Sequence, residues 1–133
     1  MKILLVDDSK LQRLMVQRIL QKAGYEVMLA ADGEEGLQSA RQGLPDLILL
    51  DMMLPRLDGV GVLEALKKDA RLAHIPVIVL SGLSIRNESK LKVEGAAAFI
   101  EKAVLDLDKE GSSLVELVRS VLEQTGRLPA SSQ

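Results

Sequence analysis

The feature that most constrains this chain is an alternation. Five short apolar runs are each followed by a segment of helical period, and no hairpin signal joins any two of them. Lys2-Ile3-Leu4-Leu5-Val6 reads as the first strand. Ser9 and Gln12 then form a capping-box pair, and Leu11, Leu14, Met15 and Ile19 follow at helical spacing, with Lys10, Arg13, Gln17 and Lys22 opposite. Gly24 ends that helix. Glu26-Val27-Met28-Leu29 is the second strand, and Asp32 with Glu35 caps a second helix over about 33–42, ending near Gly43. Pro45 introduces the third strand, 46–50.

Beyond Asp58-Gly59 a third helix runs to about Lys68, with Val62, Leu63 and Leu66 on its apolar side and Asp58 as its cap. Ile75-Pro76 opens the fourth strand, Val77-Ile78-Val79-Leu80, which ends at Ser81-Gly82. A weaker, charge-rich helix is expected over about 84–94. Gly95 precedes the fifth strand, Ala96 to Ile100. Ser113 and Glu116 form another capping box for a last helix over about 113–124, with Leu114, Leu117, Val118 and Val121 on one side.

Strands buried on both faces and separated by helices mean a parallel sheet in an α/β domain. Right-handed crossovers and five strands lead to a single doubly wound, flavodoxin-like sheet of order 2-1-3-4-5, with helices on both faces. The 133 residues suffice for one domain with a real core. That domain is expected over 1–125, with 126–133, which holds Pro129 and two serines, as a flexible tail or linker. Aromatics are only 2% of the chain, Tyr25 and Phe99, so the core must be aliphatic. A net charge of −2 leaves no electrostatic footprint for direct nucleic-acid binding. No apolar run approaches the ~20 residues of a membrane span, no signal-peptide layout is present, and there is no cysteine. These features are compatible with a cytoplasmic protein.

Open α/β sheets bind ligands at the carboxyl ends of their strands. Strand one there offers Asp7 and Asp8, strand three Asp51, strand four Ser81 and strand five Lys102, whereas strand two ends in Ala30-Ala31. In the expected order the four polar-ended strands are neighbours. Three carboxylates in one crevice repel, by about 4 kcal/mol per pair at ~4 Å and an effective dielectric near 20. A hard divalent cation removes the conflict, and Mg²⁺ (or Mn²⁺) suits oxygen ligands beside a phosphate. Lys102 adds a compact positive charge and Ser81 a hydroxyl donor. Together these groups suit a phosphoryl group in transit. Aspartate is a covalent phosphoryl acceptor in such chemistry. Asp7 and Asp8, adjacent on a turn, suit a metal pair, which leaves Asp51 as the acceptor. Taken singly, each has a plainer reading. Asp7-Asp8 could be a solvated turn, Ser81 a helix cap and Phe99 plain core, and His74 reads as a loop residue away from the site end.

In this order, on these elements, the pattern resembles the receiver domain of two-component response regulators. The resemblance covers residues 1 to about 125. It rests on Asp7-Asp8, on Asp51-Met-Met-Leu-Pro-Arg-Leu-Asp-Gly59, on Ser81-Gly82 and on Gly95-Ala-Ala-Ala-Phe99-Ile-Glu-Lys102. It implies a signalling switch rather than a turnover enzyme, with Asp51 taking phosphate from a histidine kinase or a histidine phosphotransfer protein. It implies that Asp8 and Asp51 ligate Mg²⁺ together with the backbone carbonyl of Met53, with Asp7 acting mainly through water. Ser81 and Lys102 would bind the phosphoryl oxygens. Phe99 would report phosphorylation on the face formed by the 84–94 helix, the fifth strand and the last helix, where a downstream protein or a second copy would dock. Ala103 stands where the family usually has proline, and the loop to Gly111 is longer and more acidic than usual. These departures motivate an alternative, a receiver-like binding module that does not use phosphate. A Mg²⁺-dependent phosphohydrolase ranks last, because the position two residues past Asp51 is Met53 rather than a second carboxylate.

Overall fold

The computed structural model describes residues 1–51, 59–81, 95–101 and 111–126, with Gly59, Val60, Ser81 and Phe99 given by their backbone alone. Five strands, β1 (Lys2–Val6), β2 (Glu26–Ala30), β3 (Leu47–Asp51), β4 (Val77–Ser81) and β5 (Ala98–Glu101), form one parallel sheet in the order β2-β1-β3-β4-β5. The described helices are α1 (Lys10–Lys22), α2 (Gly33–Gly43), α3 (Gly59–Lys68) and α4 (Ser112–Gln124). This is the doubly wound topology expected from the alternation. The expected helix over 84–94, the Asp58 cap, the 103–110 loop and residues 127–133 lie outside the described residues.

The pleat of the strands sorts their side chains into two cores. Leu4, Val6, Ile48, Leu50, Val77 and Val79 face α2 and α3, where Leu37, Ala40, Val62, Leu63 and Leu66 meet them. Ile3, Leu5, Leu47, Leu49, Ile78 and Leu80 face α1 and α4, where Val16, Ile19, Leu20, Leu114, Val118, Val121 and Leu122 close the other side. The central strands are therefore apolar throughout because both of their faces are covered.

Local signals set the helix ends. Ser9 Oγ accepts the N–H of Gln12 at 3.2 Å, and Asp32 Oδ1 accepts that of Glu35 at 2.9 Å, so both expected caps form. After α1, Gly24 takes φ +96 while its N–H donates to Gln21 O and that of Tyr25 to Leu20 O, the paired bonds of a Schellman turn. The left-handed residue after α2 is Leu44 (φ 44).

Two expectations are corrected. The last helix begins at Ser112, and Gly111, left-handed at φ 76, occupies its cap position with no side-chain cap bond. Gly111 lies where a Cβ would collide with Ile19 of α1, so helix packing sets the entry and Ser113 falls inside the first turn. On α1, Leu11 is 78% exposed and Leu14 48%, and the buried residues are Val16, Ile19 and Leu20. The apolar arc of α1 is wider than the sheet can cover, and the sheet takes the side centred on Val16 and Leu20. That side also turns Gln12 and Arg13, read as solvent-facing from spacing in the case of Arg13, toward the protein.

Candidate functional site

The site lies at the carboxyl ends of β1, β3, β4 and β5. Register puts Val6 opposite Leu50 and Asp51 opposite Leu80, so Asp7 and Asp51 follow side by side from neighbouring strands. Ser81 pairs with Glu101 at the same end. Lys102 follows Glu101 directly in the chain but lies, like Met53, outside the described residues. The side chains of Ser81 and Phe99 are likewise not described.

Asp7, Asp8 and Asp51 come together. Each offers a carboxylate oxygen such that all three lie within 4.8 Å of one another. Asp7 is 0% exposed and Asp51 1%, whereas Asp8 is exposed. The cluster is thus a buried pair beside one exposed carboxylate. Asp51 is carried by the last residue of a wholly buried strand, so its backbone position is set by the sheet rather than by a loop.

The β1–α1 turn is tied down around Asp7. Its N–H continues the ladder to Ala30 O at 3.1 Å. Its Oδ1 accepts the N–H of Ser9 at 2.9 Å. Its carbonyl accepts Nη1 of Arg13 at 2.6 Å. The Ser9 bond changes the capping box, since the amide that Gln12 would satisfy in a full box goes to Asp7 instead. The Nε2 of Gln12 is buried without a hydrogen-bond partner among the described residues. His74, exposed in the turn before β4, lies at the opposite end of the sheet from the cluster.

The donor set fits a hard divalent cation. Three carboxylates at this separation supply only oxygen ligands and an excess of negative charge, the ligand chemistry that Mg²⁺ prefers. Sequence spacing anticipated this trio because strand ends are legible. It missed Arg13, although Arg13 lies three residues before Val16 and seven before Leu20, the spacing of one helix face.

Comparison with known proteins agrees with this architecture. The response regulator receiver domain family matches residues 3–110. The DNA-binding dual master transcriptional regulator RpaA of Synechocystis is 36% identical over 133 residues, which are 99% of this chain and 53% of that protein. The polar-differentiation response regulator DivK of Brucella anthropi is 34% identical over 103 residues, covering 77% of this chain and 84% of DivK. Among solved structures, the chemotaxis response regulator CheY4 of Vibrio cholerae superposes with a TM-score of 0.81 at 33% identity, covering 91% of this chain and 98% of that one. The response regulator TrrA of Thermotoga maritima, solved in complex with Mg²⁺ and BeF, superposes with a TM-score of 0.78 at 30% identity, covering 91% and 98%. The chain belongs to the response regulator receiver domain family of two-component signalling. Members of that family are signalling switches governed by phosphorylation, bind Mg²⁺ at an acidic pocket, and act between histidine kinases and downstream effectors. The chain spans about half the length of RpaA. Among the described residues no helix is long and apolar enough to cross a membrane.

Proposed function

We propose that this chain is a phosphoryl-accepting receiver in which Asp51 is the acceptor. The observation that carries this reading is the convergence of buried Asp51 with Asp7 and exposed Asp8 within 4.8 Å at the sheet's carboxyl end. In the step itself an Asp51 carboxylate oxygen attacks the phosphorus of a phosphohistidine. The new O–P bond forms as the N–P bond breaks, and the imidazole nitrogen keeps the electron pair. The carboxylate is the nucleophile, so no separate base is required. Asp8, Asp51 and the carbonyl of Met53 would hold Mg²⁺, with Asp7 acting mainly through water. When bound, Mg²⁺ supplies positive charge that offsets the carboxylates and the developing charge on the phosphoryl oxygens. Ser81 and Lys102 would take those oxygens by hydrogen bond and charge.

The donor is a protein, a histidine kinase or a histidine phosphotransfer protein, and it must reach a buried acceptor beside the exposed Asp8. Leu11 and Leu14 lie on α1 within two turns of Asp8 and expose apolar surface there. We assign that surface to the donor. Phosphorylation would switch the face that carries Phe99, read by a downstream protein or a second copy. We take 1–125 as the receiver and 126–133 as a tail.

The test is incubation with a small phosphodonor and Mg²⁺, followed by intact-mass measurement. Wild type should gain one phosphoryl increment and Asp51→Asn none. An Asp51→Asn protein that gains the same increment would sink the assignment. Absence of any Mg²⁺ binding at millimolar concentration would favour the phosphate-independent module that Ala103 motivates.

A further inference from the structure

Arg13 has no part in the roles above, yet it makes a short hydrogen bond to the acidic turn. Its Nη1 donates to the carbonyl of Asp7 at 2.6 Å. That carbonyl belongs to the peptide plane joining Asp7 to Asp8. Rotating the plane changes ψ of Asp7 and φ of Asp8 together, and so swings the Asp8 carboxylate relative to Asp51. The amide side of Asp7 is held by Ala30 O at 3.1 Å, and its carboxylate by the N–H of Ser9 at 2.9 Å. Arg13 grips the carbonyl of the same residue, from a third direction.

The geometry points to Arg13 as a positioning residue for the cation site, holding the Asp7–Asp8 peptide so that both carboxylates converge on Asp51. The inference rests on the reading of that cluster as a divalent-cation site. Two effects of the guanidinium oppose each other. As a nearby positive charge it repels an incoming cation, and as a clamp it preorganises the ligands. The charge is only part-buried and is screened by solvent and salt. Mg²⁺ in turn demands near-ideal octahedral geometry, so a small displacement of one carboxylate is costly. The clamp should therefore prevail, and removing a positive charge beside the site should weaken cation binding rather than strengthen it.

Calorimetric Mg²⁺ titration of the folded chain decides the sign. Arg13→Met keeps the apolar stem and removes both donor and charge, and should bind Mg²⁺ about 10-fold more weakly, as ligand-supporting groups commonly do when lost. Arg13→Lys can still donate one N–H to the carbonyl and should stay within about threefold of wild type, because the contact is single rather than bidentate. In Mg²⁺-free protein the Ser9 amide resonance should move in the Met variant and hold in the Lys variant. If Arg13→Met unfolds, Arg13→Gln, neutral and too short to reach the carbonyl, carries the same expectation. A Met variant that binds Mg²⁺ as tightly as wild type or more tightly overturns the role, as does a Lys variant as weak as Met. A folded wild type that binds no Mg²⁺ overturns the cation reading and the Arg13 role together, whereas a normal wild type beside an unaffected Met variant overturns the Arg13 role alone.

Discussion

Gly36 of α2 lies so close to Val6 of β1 that a Cβ on the glycine would stand 2.9 Å from Val6 Cγ2 and 3.0 Å from Cγ1. Alanine in a helix interior normally gains about 1 kcal/mol over glycine. Here the obstacle is a stiff β-branched side chain on a central strand rather than a flexible tip, and neither partner can move cheaply. Overpacking costs about 1–3 kcal/mol, so after the helix-propensity gain Gly36→Ala should lower stability by up to about 2 kcal/mol. Urea unfolding should show an earlier midpoint with an unchanged slope. Val6 immediately precedes Asp7, so Mg²⁺ affinity should fall as well.

Removing one charge from the acidic cluster should stabilise the cation-free protein. Asp51→Asn relieves repulsion among carboxylates within 4.8 Å of one another and should raise stability in EDTA by about 1–2 kcal/mol. Wild type should in turn gain about 1.4 kcal/mol when Mg²⁺ is present at ten times its dissociation constant, through simple linkage. Asp51→Asn should lose that gain. Thermal unfolding of both proteins in EDTA and in Mg²⁺ checks both statements.

The exposed α1 surface should separate protein donors from small ones. Leu11→Asp combined with Leu14→Asp removes apolar contact area and adds charge without touching the core, since both residues face solvent. Transfer from a histidine kinase should slow about 10-fold or more, consistent with loss of one or two buried apolar contacts. Phosphorylation by a small phosphodonor should proceed at the wild-type rate. Parallel time courses with the two donors test this, and equal slowing of both would argue against the docking role.

Asp69, in the turn after α3, should give a pH signature remote from the site. The Arg71 amide donates to its Oδ1 at 2.9 Å, and this bond first, then the Arg71 and Arg41 guanidinium charges, hold its carboxyl below the usual carboxylate range, against an opposing push from partial burial. A depressed carboxyl contributes stability that is fully present above the ordinary value of 3.8 and is lost as pH falls through the lower folded value. Asp69→Asn should therefore be less stable than wild type at pH 7, and the gap should close below about pH 4. Melting curves at pH 7 and pH 3 measure it.

Much of this molecule was legible in its sequence, for reasons visible in particular residues. Strands such as Leu47–Asp51 are buried on both faces and therefore apolar without interruption, so their ends, and the aspartates standing there, can be counted off the chain. Alternation with helices then dictates a parallel sheet, and the sheet brings Asp7, Asp8 and Asp51 together with no further information. The local caps at Ser9 and Asp32 were equally readable, because each uses a side chain within three residues of its target.

Tertiary packing decided what local pattern left open. α1 carries more apolar residues than one face can bury, so its spacing alone did not say whether Leu11 and Leu14 or Val16 and Leu20 would meet the sheet. That choice turned Arg13 onto the Asp7 carbonyl and left Leu11 in solvent. The same holds at α4, where the approach of Gly111 to Ile19 displaced a capping box that the sequence contains. Periodicity specifies a repeat along a helix, but which side of that helix is buried depends on contacts with residues far away in the chain.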